Sequence, residues 1–287
     1  HLRNRRQRQM CIRDSYIPRM RIATWNVNSI KARLDAACEW LTSANPDVVC
    51  LQEIKCETAQ FPAERFAELG YQSAVSGQKS YNGVAILARH PLDDVSIGLP
   101  GDESDEQARF IEATVCGVRI GGLYLPNGNP PDDPSKYEYK LAWMQRLEQR
   151  AVALMEDGKP FVLAGDYNVI PLPDDCWDVA EWEDDALYLL RTRNAFRRLQ
   201  HLGLTDAYRA IYPNRSGAYS FWDYQKGRWH RDEGIRIDHL MLSPAAADRL
   251  VDAGIDAGPR GKPKASDHTP VWCELADAVP RPLLGAD

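Results

Sequence analysis

Val162-Leu163-Ala164-Gly165-Asp166-Tyr167-Asn168 is the stretch of sequence that decides the fold class and places the first chemical groups. Its apolar run predicts a buried β-strand that ends at Gly165, and side-chain alternation along an extended chain puts Asp166 and Asn168 on one side. A carboxylate beside an amide can position water and donate to a phosphoryl oxygen, which suits hydrolytic phosphoryl chemistry. The same residues are typical of a strand that ends in an Asx turn, so this segment alone leaves both interpretations open.

Two strands near the start of the chain also end in polar residues. Residues 21–27 form a strand-like run that contains Asn26, and residues 47–51 form a second β-rich run that leads to Glu53. Between them, apolar residues recur at helical spacing after Ser29, which is the expected N-cap. The sequence therefore predicts a strand, helix and strand unit with an amide and a carboxylate at its two strand ends.

Strand-like segments outnumber helical ones in the rest of the chain. They are predicted at residues 83–88, 110–116, 118–125, 160–164, 235–242 and 271–275. Helical spacing returns in residues 137–154 and around residues 185–201. Because several strands follow one another after short turns such as Cys116-Gly117, antiparallel neighbours within mixed sheets are expected. We predict an α/β fold with two sheets packed face to face and helices outside, in a single domain over residues 20–287.

Composition excludes several classes of protein. The seven cysteines are scattered and never spaced as CxxC, which indicates reduced thiols in a cytoplasmic protein rather than a disulfide framework or a structural zinc site. No apolar run approaches the roughly 18 residues of a membrane span, and no apolar signal-peptide core precedes Met20. Because the net charge is −6, the chain has to bind any polyanion locally or through metal ions.

The first 19 residues differ from the rest of the chain. They carry six arginines and one aspartate, so they contribute +5 to the charge and the remainder carries −11. They show neither apolar periodicity nor turn signals, whereas strand-like sequence begins directly after Met20. We expect Met20 to be the natural start and residues 1–19 to be a non-native or disordered leader, with a basic DNA-gripping arm as the alternative.

A carboxylate and an imidazole occur side by side near the C-terminus. Asp267 and His268 precede a predicted strand, and a neighbouring carboxylate raises the pKa of a histidine. Asp238, at the start of another predicted strand, is a candidate to orient and charge-stabilise His268, as carboxylates do in hydrolases. The alternative is a simple pair between Asp238 and Arg236. His239 lies on the opposite side of an extended segment and is expected to be structural.

Two loops add candidate contacts to a substrate. Residues 124–128, with the sequence Tyr-Leu-Pro-Asn-Gly, end a strand with a phenol and an amide that can both reach a phosphate, although Pro-Asn-Gly is also a plain turn sequence. Residues 221–231 combine aromatic side chains, including Trp222, with basic ones. Such a loop can stack on an exposed sugar or base and engage phosphates, or it can be a set of core aromatics beside a solvated charged turn.

Seven segments, taken in chain order, form a combined signature. They are Trp25-Asn26-Val27-Asn28, Leu51-Gln52-Glu53, Tyr124-Leu125-Pro126-Asn127-Gly128, Gly165-Asp166-Tyr167-Asn168, Ser220-Phe221-Trp222-Asp223, Arg236-Ile237-Asp238 and Ser266-Asp267-His268. In order and wording they resemble the exonuclease III branch of the endonuclease/exonuclease/phosphatase superfamily, over essentially residues 20–277. The resemblance implies a DNase I-like four-layer sandwich of two mixed, mainly antiparallel sheets with helices outside.

The resemblance also implies a function. It implies a DNA repair nuclease that hydrolyses the phosphodiester on the 5′ side of abasic sites, with 3′-to-5′ exonuclease and 3′-phosphatase activities. The implied cofactor is Mg²⁺, with Mn²⁺ as substitute, and hard oxygen ligands fit these ions. The implied partner is double-stranded DNA with abasic sites or with blocked or recessed 3′ ends, and we expect a monomer in a bacterial-type cytoplasm, associated with the nucleoid.

The resemblance assigns roles to single residues. The implied metal ligands are Asn26, Glu53, Asp166, Asn168, Asp267 and His268, with Glu53 as the principal one. The implied catalytic residues are Tyr124, Asp166, Asn168, Asp238 and His268. In this scheme Asp166 activates the attacking water or protonates the leaving oxygen, and His268, supported by Asp238, contacts the scissile phosphate or transfers a proton. The implied contacts to the abasic sugar are Asn127 and Trp222, and Arg109 is either a DNA contact or part of a surface salt bridge.

Two departures leave the balance of activities open. Asn82 precedes Gly83 at a position where related proteins vary, and the basic loop from Lys226 to Arg231 is of the variable kind that sets this balance. The alternative function is a same-fold phosphatase that acts on a phosphoinositide, because one metal site can serve any phosphoester.

Overall fold

Two six-stranded sheets form the framework of the computed structural model, which describes residues 19–277. In spatial order the strands of the first sheet are β11 (Leu250–Ile255), β12 (Val271–Ala276), β1 (Arg19–Asn26), β2 (Val48–Gln52), β4 (Val84–Ala88) and β3 (Gln72–Ser76). Those of the second are β5 (Asp93–Ile97), β6 (Phe110–Val115), β7 (Val118–Tyr124), β8 (Phe161–Asp166), β10 (Asp238–Leu242) and β9 (Thr205–Asp206). Each sheet has one parallel pair, β1 with β2 or β7 with β8, between antiparallel neighbours. This confirms the predicted mixed, mainly antiparallel sheets.

Helices cover the outer faces of both sheets. The helices of the described residues are α1 (Ile30–Ala44), α2 (Ala63–Ala67), α3 (Pro134–Glu156), α4 (Leu190–His201), α5 (Ala207–Ile211), α6 (Arg228–Arg231) and α7 (Pro244–Ala247), and the first four lie on the outer faces. Apolar residues of α1 and α2 pack on the first sheet, and those of α3 and α4 pack on the second. None of these helices is long and apolar enough to cross a membrane.

The space between the sheets is filled by a third apolar cluster. Alternate residues of both sheets contribute to it, among them Ile22, Val48, Ile86, Ile120, Val162 and Leu240. Burying an aliphatic side chain of this size stabilises the fold by about 1.5–3 kcal/mol relative to leaving it exposed. The order of layers is thus helix, sheet, sheet and helix, which confirms the predicted four-layer sandwich.

The strand order brings polar residues to one edge of the sandwich. The parallel strands β7 and β8 end together at Tyr124 and Asp166, which are paired across the sheet. The antiparallel strand β10 begins at that edge, so Asp238 is paired with Asp166. In the first sheet, β1 ends at Asn26 beside the end of β2. Four strand ends therefore supply side chains to one place.

Gly165 allows β7 and β8 to pair at the position that precedes this edge. A Cβ atom at residue 165 would clash with the carbonyl oxygen of its cross-strand partner Leu123. Only glycine avoids that contact. Asp166 then continues the alternation of Val162 and Ala164, which face the core between the sheets, so its carboxylate enters the cleft between them.

The first strand begins two residues before its expected start at Arg21 and one residue before Met20, the expected start of the chain. Arg19 pairs with Ala276 of β12, and its guanidinium lies 3.0 Å from the carboxylate of Glu274. Arg19 therefore belongs to the sheet. Residues 1–18 of the expected leader lie outside the described residues.

The start of α1 corrects the expected N-cap. Ser29 precedes the helix as predicted, but it has φ 86° and its side chain makes no capping hydrogen bond. The backbone N–H of Ser29 instead donates to the carbonyl oxygen of Glu53 at 2.7 Å. This bond ties the end of β1 to the residue after β2, so Ser29 helps to join the two strand ends that carry site residues.

Candidate active site

The two sheets are linked across their shared edge by one side-chain amide. Asn26 Nδ2 donates to Glu53 Oε1 at 2.9 Å and to Asp166 Oδ2 at 3.0 Å. The backbone N–H of Asn28 donates to Asn26 Oδ1 at 3.0 Å and thereby fixes the orientation of the amide. The Tyr124 hydroxyl donates to the same Glu53 oxygen at 2.9 Å. One carboxylate from each sheet is thus held at a fixed separation by shared donors.

Glu53 occupies a strained backbone position beside a lysine. Glu53 and Lys55 have φ of 50° and 52°, in the left-handed region that costs energy for residues other than glycine. Lys55 Nζ lies 2.8 Å from Glu53 Oε2. Burial raises the pKa of Glu53, but hydrogen bonds from Asn26 and Lys55 outweigh it and lower the pKa below its ordinary value. Glu53 is therefore an ionised carboxylate with partial access to solvent.

Asp166 is a buried carboxylate with a raised pKa. Its Oδ1 accepts from the backbone N–H of Asn168 at 2.9 Å. Burial and, to a smaller degree, the charge of Asp238 raise its pKa to about 7, against the opposing effects of His268 and Asn26. A group with this pKa gains and loses a proton near neutrality, as a general acid or base requires.

His268 lies between two carboxylates. Its Nδ1 is 2.8 Å from Asp238 Oδ2, and its Nε2 is 3.7 Å from Asp166 Oδ2. Burial alone would lower the pKa of His268, but Asp238 and Asp166 outweigh it and raise the pKa to about 10. Ser220 Oγ donates to the same Asp238 oxygen at 2.6 Å and accepts from the Asp238 backbone N–H at 3.1 Å. The imidazole is thus a cation whose orientation is set by a buried Asp and Ser pair.

The alternative partner proposed for Asp238 is occupied elsewhere. Arg236 is fully buried and its guanidinium bonds Asp175 and Asp206. His239 lies on the opposite side of the strand, where its Nδ1 accepts from the Arg236 guanidinium at 3.0 Å. These contacts place His239 in a buried network on the other side of the strand, in line with a structural role, and leave Asp238 free to contact His268.

Two asparagines meet on the other flank of Asp166. Asn127 Nδ2 donates to Asn168 Oδ1 at 3.1 Å, and Asn168 Nδ2 donates to the Leu125 carbonyl at 2.9 Å. Because an amide nitrogen carries two hydrogens, Asn168 retains one for a substrate. The buried Lys140 Nζ donates to the backbone carbonyl oxygens of the same two residues, to that of Asn127 at 2.9 Å and to that of Asn168 at 2.6 Å.

Asp267 joins the site through a residue to which the sequence assigned no role. Asn28 Nδ2 donates to Asp267 Oδ1 at 3.1 Å, and Lys55 Nζ donates to Asn28 Oδ1 at 2.6 Å. Asn28 therefore connects Asp267 with the Glu53 side of the cleft. Asn28 lies after the end of β1 with φ 44°, and its occurrence as a second amide just after Asn26 is the signal that could have identified it.

The aromatic contact expected from Trp222 is corrected by the structure. Trp222 is buried, with its ring 4.9 Å from that of Trp229 and its Nε1 donating to Asp232 at 3.1 Å. The ring of the half-buried Phe221 lies 4.9 Å from the imidazole of His268. Successive residues of an extended segment face opposite ways, so the structure places Phe221, and not Trp222, at the site.

Arg109 contacts the site through Tyr124. Its guanidinium lies 4.7 Å from the centroid of the Tyr124 ring and donates to the Tyr124 carbonyl at 3.3 Å. Its Nε also donates to Gln107 at 2.7 Å. Cation–π contact of this kind holds an aromatic ring in place, so Arg109 helps to fix the phenol that donates to Glu53.

The basic loop is partly neutralised by its own neighbours. Arg228 lies 2.5 Å from Glu181 and 3.1 Å from Glu233, and Arg231 lies 2.6 Å from Glu233. These ion pairs occupy both guanidinium groups. The loop therefore offers a phosphate fewer free positive charges than its sequence indicates.

The donors of the site suit a metal ion. Among the described residues, Asp166, Asp238 and His268 have ligand atoms within 4.8 Å of one another. His268 is protonated and bonded to Asp238 through Nδ1, so it lacks the free nitrogen that a metal ligand needs, and only the carboxylates of this group can serve a metal. Glu53 accepts from Asn26, Tyr124 and Lys55, which leaves its carboxylate room for one further partner. Carboxylate and amide oxygens predominate here, and hard divalent cations prefer such ligands.

Comparison with families of known proteins gives one match over most of the chain. The model of the endonuclease/exonuclease/phosphatase family matches residues 23–268. Exodeoxyribonuclease III of Haemophilus influenzae is 32% identical over 270 residues, which cover 89% of this chain and 100% of the relative.

Two solved structures share the fold at higher identity. An AP endonuclease from Archaeoglobus fulgidus is 37% identical with a TM-score of 0.85, over 90% of this chain and 100% of that one. A 3′ phosphatase from Neisseria, solved with a product DNA hairpin, is 39% identical with a TM-score of 0.86, over 89% of this chain and 99% of that one.

Proposed function

The chain belongs to the endonuclease/exonuclease/phosphatase family, in its exonuclease III branch, and from that premise we propose that it is an Mg²⁺-dependent nuclease of DNA repair. Its main reaction is hydrolysis of the phosphodiester on the 5′ side of an abasic site, accompanied by 3′-to-5′ exonuclease and 3′-phosphatase activities. The observation that carries the proposal is the single hydrogen-bonded group in which Asn26 joins Glu53 to Asp166, next to His268.

Related proteins support DNA as the substrate. The matched relatives are named as an exodeoxyribonuclease, an AP endonuclease and a 3′ phosphatase bound to a DNA hairpin. All three activities break an ester bond of a DNA phosphate. Double-stranded DNA with an abasic site, or with a blocked or recessed 3′ end, is therefore the proposed partner.

Oxygen ligands on both sides of Asn26 are proposed to hold Mg²⁺. Glu53 is the principal ligand, with Asn26 and Asp267 nearby, while Asp166 and Asn168 contribute to a second position. When bound, a divalent cation would neutralise negative charge on the phosphate oxygens. Against the effect of burial, hydrogen bonds from Asn26 and Lys55 lower the pKa of Glu53, so this carboxylate is ionised, as a metal ligand has to be.

His268 and Tyr124 are proposed to act as donors to the phosphate. The pKa of His268 is raised to about 10, so its imidazole is protonated at neutral pH and its Nε2 hydrogen faces the cleft next to Asp166. Burial and the nearby Glu53 and Asp166 carboxylates raise the pKa of Tyr124 well above its ordinary value, so the phenol keeps its single proton, which it donates to Glu53 in the structure and would turn to the phosphate when the substrate binds. Together with the remaining Asn168 hydrogen, these donors stabilise the negative charge that develops on the phosphoryl group.

Asp166 is the proposed proton-transfer group. It either takes a proton from the attacking water or gives one to the leaving oxygen, and a pKa of about 7 permits both. Asn26 and the Asn168 backbone N–H hold its two oxygens in place. A carboxylate fixed in this way loses little orientational freedom when the substrate binds.

The substrate sugar is proposed to lie against Phe221 and Asn127. Phe221 presents its ring beside His268, and the exposed Asn127 hydrogen-bonds the catalytic Asn168. Aromatic side chains stack on exposed bases and sugars in many nucleic-acid complexes. Arg109 is proposed to help indirectly, through its contact with Tyr124.

The test is incision of a duplex that carries one synthetic abasic site, with Mg²⁺ and with EDTA. The same assay is run on a duplex with a recessed 3′ end, on a duplex with a 3′ phosphate and on an inositol polyphosphate. The proposal predicts Mg²⁺-dependent cleavage 5′ to the lesion, shortening or dephosphorylation of the other two duplexes, and no release of phosphate from the inositol compound. Hydrolysis of the inositol polyphosphate alone, by folded protein, would overturn it.

A further inference from the structure

Lys140 is a fully buried lysine on the inner face of α3, below the candidate active site. Among the described residues it has no carboxylate within ion-pair distance, and its ammonium group donates to two backbone carbonyls. Burying an ammonium group without a counter-ion is costly. Burial lowers the pKa of Lys140 to about 7, against the attraction of Asp185 and Asp166, which reflects that cost.

The two carbonyls belong to the loops that carry the paired asparagines. Lys140 Nζ lies 2.9 Å from the Asn127 oxygen, in the loop after β7, and 2.6 Å from the Asn168 oxygen, in the loop after β8. The side chains of the two asparagines bond each other at 3.1 Å on the opposite side of the same backbone. A single ammonium group therefore clamps both loops from within.

Gly128, which follows Asn127 in the loop after β7, packs closely against the Lys140 side chain. Gly128 has φ 84°, and a Cβ atom there would lie 2.6 Å from Lys140 Cδ and 3.2 Å from Lys140 Cβ. The loop can cross the lysine stem only because it has no side chain at this point. Asn168 has φ 48°, in the left-handed region that asparagine tolerates better than most other residues.

We propose that Lys140 is a positioning residue for the nuclease reaction, which clamps the Asn127 and Asn168 loops so that the Asn168 amide points at the phosphate. This inference rests on the proposed function. Lys140 itself touches no substrate, since it is fully buried. Its effect passes through Asn168, whose Nδ2 keeps a hydrogen for the substrate while Leu125 accepts the other.

The first experiment measures kcat and KM of Lys140→Met on the abasic duplex. Loss of a support to a reacting group costs about 10- to 100-fold in rate, so kcat should fall by that factor while KM changes by less than about threefold. Leu147→Ala is the matched control. Leu147 is buried two turns further along the same face of α3, so its truncation should lower the melting temperature by several degrees and leave kcat unchanged.

The second experiment asks whether the effect passes through Asn168. In an Asn168→Ala background the positioned amide is absent, so Lys140→Met should lower kcat by less than about twofold further, which is the non-additivity expected of coupled residues. An equal loss in both backgrounds would overturn the inference, as would a Lys140→Met enzyme with wild-type kcat. If Lys140→Met does not fold, Gly128→Ala replaces it, because its Cβ would displace the lysine stem. Failure of the wild-type enzyme on every DNA substrate would instead refute the proposed function.

Discussion

The Nδ1 atom of His268 lies 2.8 Å from the Oδ2 atom of Asp238, across the gap between the two sheets. His268 precedes β12 of the first sheet and Asp238 opens β10 of the second. The bond fixes the ring so that Nε2 faces Asp166. A buried carboxylate in this position both orients an imidazole and stabilises its charged form.

Replacing Asp238 by asparagine should therefore impair the chemical step. The amide removes the negative charge that keeps His268 protonated, so the pKa of His268 falls and the donor to the phosphate is lost. In hydrolases with an Asp and His pair such a change costs up to about 10⁴-fold in kcat, and we expect at least about 100-fold here, with DNA affinity changed less than about threefold. Single-turnover kinetics on the abasic duplex measure this. Asp248→Asn, an exposed carboxylate after α7, is the control, and near-normal kcat for Asp238→Asn would refute the assigned role.

Replacing Phe221 should mainly weaken DNA binding, and replacing Trp222 should mainly lower the stability of the fold. Phe221→Ala removes the ring beside His268 and should weaken binding of abasic DNA by about 1–3 kcal/mol, the usual contribution of one stacking side chain, with little change in stability. Trp222→Ala empties a buried site next to Trp229 and should lower the free energy of unfolding by about 3–5 kcal/mol. DNA-binding titrations and urea unfolding of both variants test this. The reverse outcome would show that Trp222 is the substrate contact.

The sequence predicted the central strands and missed the edges. Each strand that it did not predict, β3, β5, β9 or β11, lies at an edge of a sheet. Central strands are buried on both faces and appear as continuous apolar runs, such as Phe161–Asp166. Edge strands face solvent, and β5 is exposed along its whole length. Composition alone therefore does not distinguish them from loops.

The sequence predicted the site residues that stand at strand ends. It did not predict the positions of residues that depend on long-range packing. Asn26, Glu53 and Asp166 stand at strand ends, and the structure brings them into contact as expected. The direction of the Phe221 side chain follows from the β-bridges of this residue to Ile235 and His268, which are distant from it in sequence. No local pattern reveals such long-range pairing, and the burial of Lys140 is hidden for the same reason.

Removal of the metal should abolish activity without unfolding the protein. The two apolar cores and the central cluster hold the fold independently of the site, so EDTA should stop incision while the circular dichroism spectrum stays unchanged. Glu53→Gln keeps the shape but removes the charge of the proposed principal ligand. It should raise the Mg²⁺ concentration for half-maximal rate by at least about tenfold. Glu57→Gln, an exposed acid four residues further on, should not, and an equal shift in both variants would argue against a site at Glu53.

His239 makes the stability of the fold depend on pH. It is buried between Tyr167 and Phe196, with ring centroids 5.5 and 5.0 Å away. Arg236 donates to its Nδ1, so its Nε2 carries the hydrogen that is donated to the Val169 carbonyl. Burial and the charge of Arg236 lower its pKa from 6.5 to about 4. The folded protein therefore holds a neutral imidazole that the unfolded chain protonates more readily.

The sign of the effect follows from that difference. Above pH 6.5 the imidazole is neutral in both states and contributes no dependence on pH. Between pH 6.5 and 4 only the unfolded chain binds the proton, so stability falls as the pH falls, by up to about 3 kcal/mol for this one group. Below pH 4 the folded state binds it too and the contribution becomes constant. His239→Gln keeps a hydrogen-bonding amide but does not titrate, so its unfolding free energy, measured with urea from pH 7 to pH 4, should decline less steeply than that of the wild type. Parallel curves for the two proteins would show that the acid sensitivity comes from carboxylates such as Asp206, whose pKa is lowered in the folded state because Arg236 outweighs the effect of burial.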